Sequence, residues 1–502
     1  MPDAPAAAKR VRPKKGEQVE VTIDSLAHGG AGIGRAEAGF VVFVRGVVPG
    51  DRVRARIDKA KRSFAEARLT ELIAPSPDRR EVEVAHPGAP WQVMPYEMQL
   101  AEKQQQVYDA LTRLGGFDDP PVEPIIPAVE QWRYRNKVEY SFGMADAPDG
   151  TGVHAGSAGD AGDGAGVHAG SVGDAGDGTG VHAGSVNGAA GSLILGFHHP
   201  GRWDLIDRVE RDILASERVD QVREEVLEWC VAEGLPAYDR REHTGFLRNL
   251  VVREGRRTGQ LQIRLVTSKG PFRHDEFAAA VSADSVLWTQ AEGVAETTRG
   301  GKTKKLKGDA MLAEELQIGG ERLRFSISPD AFFQTNTEMA ERLYAEAVRA
   351  AGLGGGERVF DLYCGIGTIA LALALDSAEV IGVESVERAV ADAIANARAN
   401  GVDNARFYAG DVRTAMRPLL EEEGSADVVV IDPPRAGLSQ KVVRRVLEVG
   451  AEKIVYVSCN PTTLAPNARQ MVDAGYQLRT VAPVDMFPQT PHIECVALLS
   501  RD

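Results

Sequence analysis

Short β-rich runs at 18–23, 40–44, 51–57 and 64–73 alternate with glycine turns at Gly29-Gly30-Ala31-Gly32 and Gly46, which predicts a small five-stranded barrel over residues 16–75. Within 51–56, Arg52, Arg54 and Arg56 alternate with Val53 and Ala55, so a period of two places all three arginines on one face. From 200 to 325 a helical stretch at 216–233 is mixed with strand-like runs at 246–253, 260–266 and 323–328, which predicts an α+β domain. Beyond Asn336 the pattern becomes helix 337–351, strand 358–363, helix 368–374, strand 379–384, helix 386–400, then strands at 405–408, 428–431 and 454–458. Such alternation predicts an α/β, doubly wound sheet.

One segment breaks the pattern. Residues 144–192 are almost wholly Gly, Ala, Asp, Ser, Val and His and repeat Gly-Val-His-Ala-Gly-Ser at 152–157, 166–171 and 180–185, a period of 14. So little large apolar surface cannot offset the entropy of ordering, so a disordered insertion grown by duplication is expected. Its histidines, one per copy, are incidental rather than metal ligands. The chain thus divides into a basic tail (1–15), a barrel (16–75), an α+β middle domain (76–325) with the insertion, and a doubly wound domain (326–502).

The chain has 502 residues, 43% apolar and 26% charged, enough for two or three soluble domains. It contains no uninterrupted apolar run of about 18 residues and no secretory signal pattern, so a cytoplasmic protein without membrane contact is expected; it is also expected to be a monomer. The four cysteines, 230, 364, 459 and 495, include no Cys-x-x-Cys pair, which argues against a disulfide framework or a zinc ribbon. Cys230 and Cys495 fit ordinary buried thiols. Residues 1–80 carry 16 Lys and Arg against 10 Asp and Glu, a net +6, whereas the remainder is −20. A basic head on an acidic body suits a phosphate-backbone contact confined to the head.

In a doubly wound sheet, ligands bind beyond the carboxyl ends of the strands. Asp361, Glu384, Asp411 and Asp432 fall at or just past such ends, and Gly365 and Gly367 allow a close backbone approach at a helix N-terminus. Glu384, 23 residues after Asp361, is placed for a pair of ribose hydroxyls. The turn lacks the full Gly-x-Gly-x-x-Gly pattern. A carboxylate at the first strand suits the ammonium of S-adenosylmethionine better than a pyrophosphate.

Cys459 lies in Lys453-Ile-Val-Tyr-Val-Ser-Cys-Asn-Pro461, where a strand ends at an Asn-Pro turn. A thiol there can attack C6 of a pyrimidine and so make C5 nucleophilic, a route that also needs a base for the C5 proton. Glu494, opening an apolar strand, is the candidate base; His492 is second. Arg435 is a candidate electrostatic helper, since a free thiol of pKa about 8.5 is only a few per cent thiolate at neutral pH.

The segments 21–26, His28-Gly-Gly-Ala-Gly-Ile-Gly-Arg35 and 40–50 resemble a TRAM domain, a small OB-like RNA-binding barrel. Ser328-Pro-Asp-Ala-Phe-Phe-Gln-Thr-Asn336, Asp361–Gly367, Asp432-Pro-Pro-Arg435, Ser458-Cys-Asn-Pro461, and Asp485-Met-Phe-Pro-Gln-Thr490 with His492-Ile-Glu494 resemble the RNA 5-methyluridine methyltransferase family. Weaker echoes are Arg135-Asn-Lys137 and Tyr96-x-x-Gln99-Leu-x-x-Lys103. The resemblance implies a Rossmann-like methyltransferase domain, Cys459 as nucleophile and Glu494 as proton acceptor. It also implies Gln334, Tyr363, Glu384 and Asp432 as S-adenosylmethionine contacts, with Asp432 a candidate to orient the uracil as well. The implied partner is RNA, and the TRAM-like head favours ribosomal over transfer RNA.

The chain departs from the family twice. His86-Pro-Gly-Ala89 stands where many members carry a Cys-Gly-Gly-Cys, and Val209-Glu-Arg-Asp-Ile213 also lacks a cysteine, so no iron–sulfur cluster is expected. Leu464-Ala-Pro-Asn-Ala468 replaces the usual Leu-Ala-Arg-Asp, which calls the support of the Cys459 loop into question. Three other functions compete: an N-methyltransferase acting through Asp432-Pro-Pro, a 5-methylcytosine enzyme, and a noncatalytic RNA-binding factor. The second cysteine of the two-cysteine cytosine enzymes is missing at Pro434-Arg435, and retention of Cys459 and Glu494 argues against the third.

Overall fold

Val21, Ile23, Val42, Val44, Val53, Ala55 and Ile57 alternate inward along the first strands and fill a closed barrel. The computed structural model describes residues 12–36, 39–145, 191–199, 202–294 and 297–501. The barrel comprises β1 (Gln18–Leu26), β2 (Gly32–Arg35), β3 (Val41–Arg45), β4 (Arg52–Ala60) and β5 (Phe64–Ala74), in the order β1-β2-β3-β5-β4. Arg52, Arg54 and Arg56 do share its outer face. Glu20 takes up Arg52 at 3.1 Å and Arg54 at 2.8 Å, and Glu71 also pairs with Arg54. Much of that positive charge is therefore neutralised within the barrel.

Helix α1 (Tyr96–Arg113) follows, then a seven-stranded sheet of order β12-β11-β10-β9-β6-β7-β8. Its strands are β6 (Lys137–Met144), β7 (Leu193–His199), β8 (Arg202–Arg208), β9 (Leu247–Glu254), β10 (Leu261–Thr267), β11 (Ser285–Gln290) and β12 (Lys302–Lys307). Helices α2 (Glu217–Ala232) and α3 (His274–Ala280) cover the apolar face, built from Tyr140, Phe142, Leu250, Val252, Ile263 and Leu265. On the opposite face the register aligns Lys137 with Arg253 and Gln262, and Glu139 with Val251 and Arg264. β6 and β7 pair from Ser141–Gly196 to Met144–Leu193, so the ends of the expected insertion meet. The repeat itself lies outside the described residues.

Hairpin β13 (Leu312–Ile318) and β14 (Glu321–Ile327) buries Leu316, Leu323 and Phe325 in the same core as α4 (Thr337–Ala351). Asn336 caps α4 by accepting from Met339 N, and Gly352 ends it at φ 55°. The remaining elements are β15 (Arg358–Leu362), α5 (Thr368–Ala374), β16 (Glu379–Glu384), α6 (Glu387–Ala399), β17 (Ala405–Ala409), α7 (Val412–Glu423), β18 (Val428–Ile431), α8 (Gln440–Val449), β19 (Lys453–Ser458), α9 (Pro461–Asp473), β20 (Gln477–Val484) and β21 (Glu494–Ser500). The sheet order is β17-β16-β15-β18-β19-β21-β20, the expected doubly wound fold. After β15 the chain turns first to one side and later, at β18, to the other, which opens a crevice past their carboxyl ends. β21 runs antiparallel between β19 and β20. No described helix is long and apolar enough to cross a membrane.

Candidate active site

β15 stops one residue earlier than its apolar pattern suggests, because Tyr363 adopts φ 68° and swings the chain into the Gly365–Gly367 turn. Tyr363 N and Cys364 N both donate to Val383 O, at 2.9 and 3.2 Å, which holds this turn against β16. Glu384, at the end of β16, accepts from Gly365 N at 3.2 Å through one carboxylate oxygen and from Val386 N at 2.8 Å through the other. Burial, Asp411 and Glu384 push the Tyr363 hydroxyl up to about 12. Asp411, one of the four strand-end carboxylates, caps α7 by accepting from Arg413 N.

Asp361 is fully buried, and among the described residues neither carboxylate oxygen makes a well-formed hydrogen bond, although the Ala370 backbone N–H is near enough to oppose part of the shift in its carboxyl. Burial, with Asp432 nearby, pushes its carboxyl up to about 8. An orphaned buried carboxylate invites a cation. Together with Glu384 at the glycine turn, it fits the ammonium and ribose of S-adenosylmethionine. Gln334 is buried, on a segment gripped from the middle sheet. Asn136 Nδ2 donates to Gln334 O at 3.0 Å and to Thr337 Oγ1 at 2.8 Å, while Arg253 donates to Ser328 O at 3.3 Å and to Ala331 O at 2.7 Å.

The antiparallel pairing of Ser458 with Cys495 continues to place Cys459 beside Glu494, 35 residues away in sequence. Glu494 is buried and Cys459 half-buried. Burial, then Glu494 and Asp432, push the Cys459 thiol far up, and Arg435 opposes the shift. Burial and Asp432 likewise hold Glu494 well above the carboxylate range, and burial alone pushes Asp432 up to about 7. Thiol and acids thus share one poorly solvated crevice, where a charge on any of them disfavours charge on the others.

Asn460 Nδ2 donates to Arg435 O at 3.2 Å, and its Oδ1 accepts from Thr462 N at 3.0 Å, capping α9. The second sequence departure turns out to support this loop. Asn467 Oδ1 accepts from Leu438 N at 2.9 Å and Tyr456 OH at 3.0 Å, and its Nδ2 donates to Leu438 O at 3.0 Å. Pro466 lies inside α9 without ending it.

Two features were not anticipated. The barrel reaches the site: a Cβ on Gly30 (φ 87°) would lie 3.1 Å from both Pro491 Cβ and Trp91 Nε1. Next to it, burial, then Arg435 and His492, push the His28 ring down to about 4. His492, the second candidate base, stacks edge-on against Phe487 with ring centres 6.0 Å apart. The GG-containing turn was visible in the sequence as a turn, with nothing to show what it would touch.

At the family's cluster positions the space is filled by protein. His86 Nε2 lies 3.2 Å from Asp212 Oδ1, and both side chains are buried. Asp212 also accepts from Tyr140 OH at 2.6 Å and from Leu214 N and Ala215 N at 2.9 and 3.1 Å. Against burial, which raises it, His86 and Tyr140 hold the Asp212 carboxyl below the usual carboxylate range. With no thiol among these residues, a four-iron cluster does not fit them.

Residues 273–502 match the family model described as tRNA (Uracil-5-)-methyltransferase, and residues 12–70 match the TRAM domain. An uncharacterized RNA methyltransferase of Halalkalibacterium halodurans is 34% identical over 497 residues, covering 97% of each chain. A second, from Chlorobaculum tepidum, is 34% identical over 513 residues and covers 99% of each. Among solved structures, Pyrococcus abyssi tRNA (uracil-54, C5)-methyltransferase in complex with S-adenosyl-L-homocysteine matches with a TM-score of 0.70 and 26% identity, covering 96% of this chain and 100% of that one.

Proposed function

The chain belongs to the RNA uracil-5-methyltransferase family and is an S-adenosylmethionine-dependent RNA methyltransferase; from that premise we propose that it methylates C5 of a uridine in ribosomal RNA through a covalent bond from Cys459 to uracil C6. The observation that carries this reading is the convergence of Cys459, Glu494 and Asp432 on one buried crevice.

Uracil C5 is too weak a nucleophile to take a methyl group unaided. Cys459 releases its thiol proton to solvent on its half-exposed side and attacks C6 as the thiolate, which pushes the ring electrons toward O4 and makes C5 reactive. Bound S-adenosylmethionine supplies an electrophilic methyl group. Glu494 then takes the C5 proton, the electrons of that C–H bond restore the C5–C6 double bond, and the Cys459 sulfur leaves. A carboxyl held well above its ordinary range makes a strong base once ionised, which suits Glu494 to a carbon-bound proton. Arg435 favours both ionised forms, of Cys459 and of Glu494, in a crevice that otherwise opposes them. On the donor side, Asp361 would hold the ammonium and Glu384 the ribose hydroxyls, and Gln334, Tyr363 and Asp432 would complete the pocket.

The basic barrel supports ribosomal RNA, since a backbone-contact module adds affinity for a large structured RNA without choosing a base. A second reading, transfer RNA, is favoured by the similar Pyrococcus enzyme, which acts on uracil-54 of tRNA. Mass-spectrometric mapping of 5-methyluridine in both RNA classes, from cells with and without the gene and with Cys459→Ala, separates them. Loss of one ribosomal 5-methyluridine is expected, a transfer RNA loss would move the substrate, and loss of neither would sink the reading.

A further inference from the structure

Glu494 opens β21 directly across from Val484, so its position depends on how the connecting loop, residues 485–493, is held. That loop is gripped from outside the doubly wound sheet. Lys103 Nζ lies 2.5 Å from Asp485 Oδ1 and donates to Phe487 O at 3.1 Å. Tyr96 OH donates to Asp485 Oδ2 at 2.8 Å. Gln99 Nε2 donates to Gln489 Oε1 at 2.8 Å, and Gln99 Oε1 accepts from Gln489 N at 2.9 Å. Tyr96, Gln99 and Lys103 are spaced three and then four residues apart, so they form one stripe along α1. The other face of the loop is tied by Trp91 N to Gln489 O at 2.9 Å, Tyr134 OH to Pro488 O at 3.0 Å and Asn336 Nδ2 to Met486 O at 2.9 Å.

These bonds hold a backbone that would not adopt this shape unaided, since Gln489 has φ 67°, a left-handed conformation rare for a side-chain-bearing residue. Lys103 and Asp485 are both fully buried, and burial pushes the Lys103 ammonium down while Asp485 opposes the shift. Buried ion pairs seldom stabilise a fold better than apolar residues of similar volume would. What such a pair supplies is direction: one carboxylate, held by two donors from one helix, fixes the start of the loop.

We infer that Tyr96, Gln99 and Lys103 are positioning residues for Glu494 and govern removal of the C5 proton rather than formation of the bond to Cys459. The inference rests on the proposed covalent route. Cys459 is held separately, through Asn460, Asn467 and the loop after β18, so a slack 485–493 loop leaves nucleophilic attack and methylation intact. The methylated ring then stays bonded to Cys459 with its C5 proton in place.

The test uses the full-length protein, S-adenosylmethionine and RNA from the gene-deleted host. Lys103→Met should lower kcat about 100-fold, the scale of a roughly 1 Å misplacement of a catalytic group, with KM for RNA and donor little changed. A denaturant-stable protein–RNA adduct whose mass includes the methyl group should accumulate. Tyr96→Phe, which removes a single hydroxyl, should show a smaller loss of the same kind and carries the test if Lys103→Met does not fold. If both variants turn over at the wild-type rate, or adduct formation falls in step with turnover, the positioning role is overturned. If wild-type protein makes no 5-methyluridine, or Cys459→Ala retains turnover, the covalent route itself has failed.

Discussion

Replacing Asp361 by Asn should weaken donor binding and flatten its dependence on pH. Asp361 is buried and pushed up to about 8, by burial first and then by Asp432. A carboxyl of that strength is only about one-tenth ionised at pH 7, so ionising it there costs about 1.4 kcal/mol, and about 2.7 kcal/mol at pH 6. A donor ammonium requires the ionised form, so the Kd of S-adenosylhomocysteine, which keeps the same ammonium, should rise about tenfold for each pH unit below 8. Isothermal titration calorimetry at pH 7 in two buffers of different ionisation heat should count about 0.9 proton released per ligand bound. Asp361→Asn should release fewer protons, and its weaker Kd should change less steeply with pH, the remaining dependence reporting Asp432, itself pushed up to about 7. The sign for folding stability without donor is opposite. A carboxyl raised in the folded state destabilises it increasingly as pH climbs above the unfolded value of about 3.9, so Asp361→Asn should raise Tm at pH 7. A wild-type Kd that does not change between about pH 6 and 8 would refute the assignment.

Asp212→Asn removes the negative charge beside buried His86 and one of the two acceptor oxygens that serve His86 and the Tyr140 hydroxyl, and should cost about 3 kcal/mol, the low end for breaking a buried pair. Urea unfolding checks this, and because Asp212 is held low its contribution should be full above about pH 4, the unfolded value, and fade as pH falls further. Asn467→Ala leaves Leu438 N, Leu438 O and Tyr456 OH without their partner and should cost about 3 kcal/mol on the scale of buried unsatisfied groups; Asn467→Asp, which keeps both acceptor contacts and loses only the donor, should fold but melt lower. Arg56→Ala should weaken RNA binding and reduce the salt slope by about 1, whereas Arg52→Ala, whose charge Glu20 already meets, should do so less; equal effects would show that the Glu20 pair opens on RNA.

Local patterning by itself determined most of the doubly wound domain. Helix 337–351, helix 368–374, strand 379–384 and strand 428–431 coincide with α4, α5, β16 and β18, because side-chain period, the Asn336 cap and Gly352 act within a few residues. Cys459 and Glu494 were legible for a similar reason: a thiol and a carboxylate at strand ends fall on the rim of such a sheet wherever the strands are placed. Strand order was not legible. Only the insertion of β21 between β19 and β20 sets Glu494 beside Cys459, a register that no periodicity encodes. The same holds for the barrel turn at Gly30 on Pro491, for Asn136 on the Gln334 segment and for Lys103 on Asp485, 382 positions later. The period of a helix announces which face it buries and is silent about what that face meets, because partners far apart in sequence are chosen by the packing of the whole chain. The tertiary structure therefore decided how the candidate groups are held, and the sequence which groups are candidates.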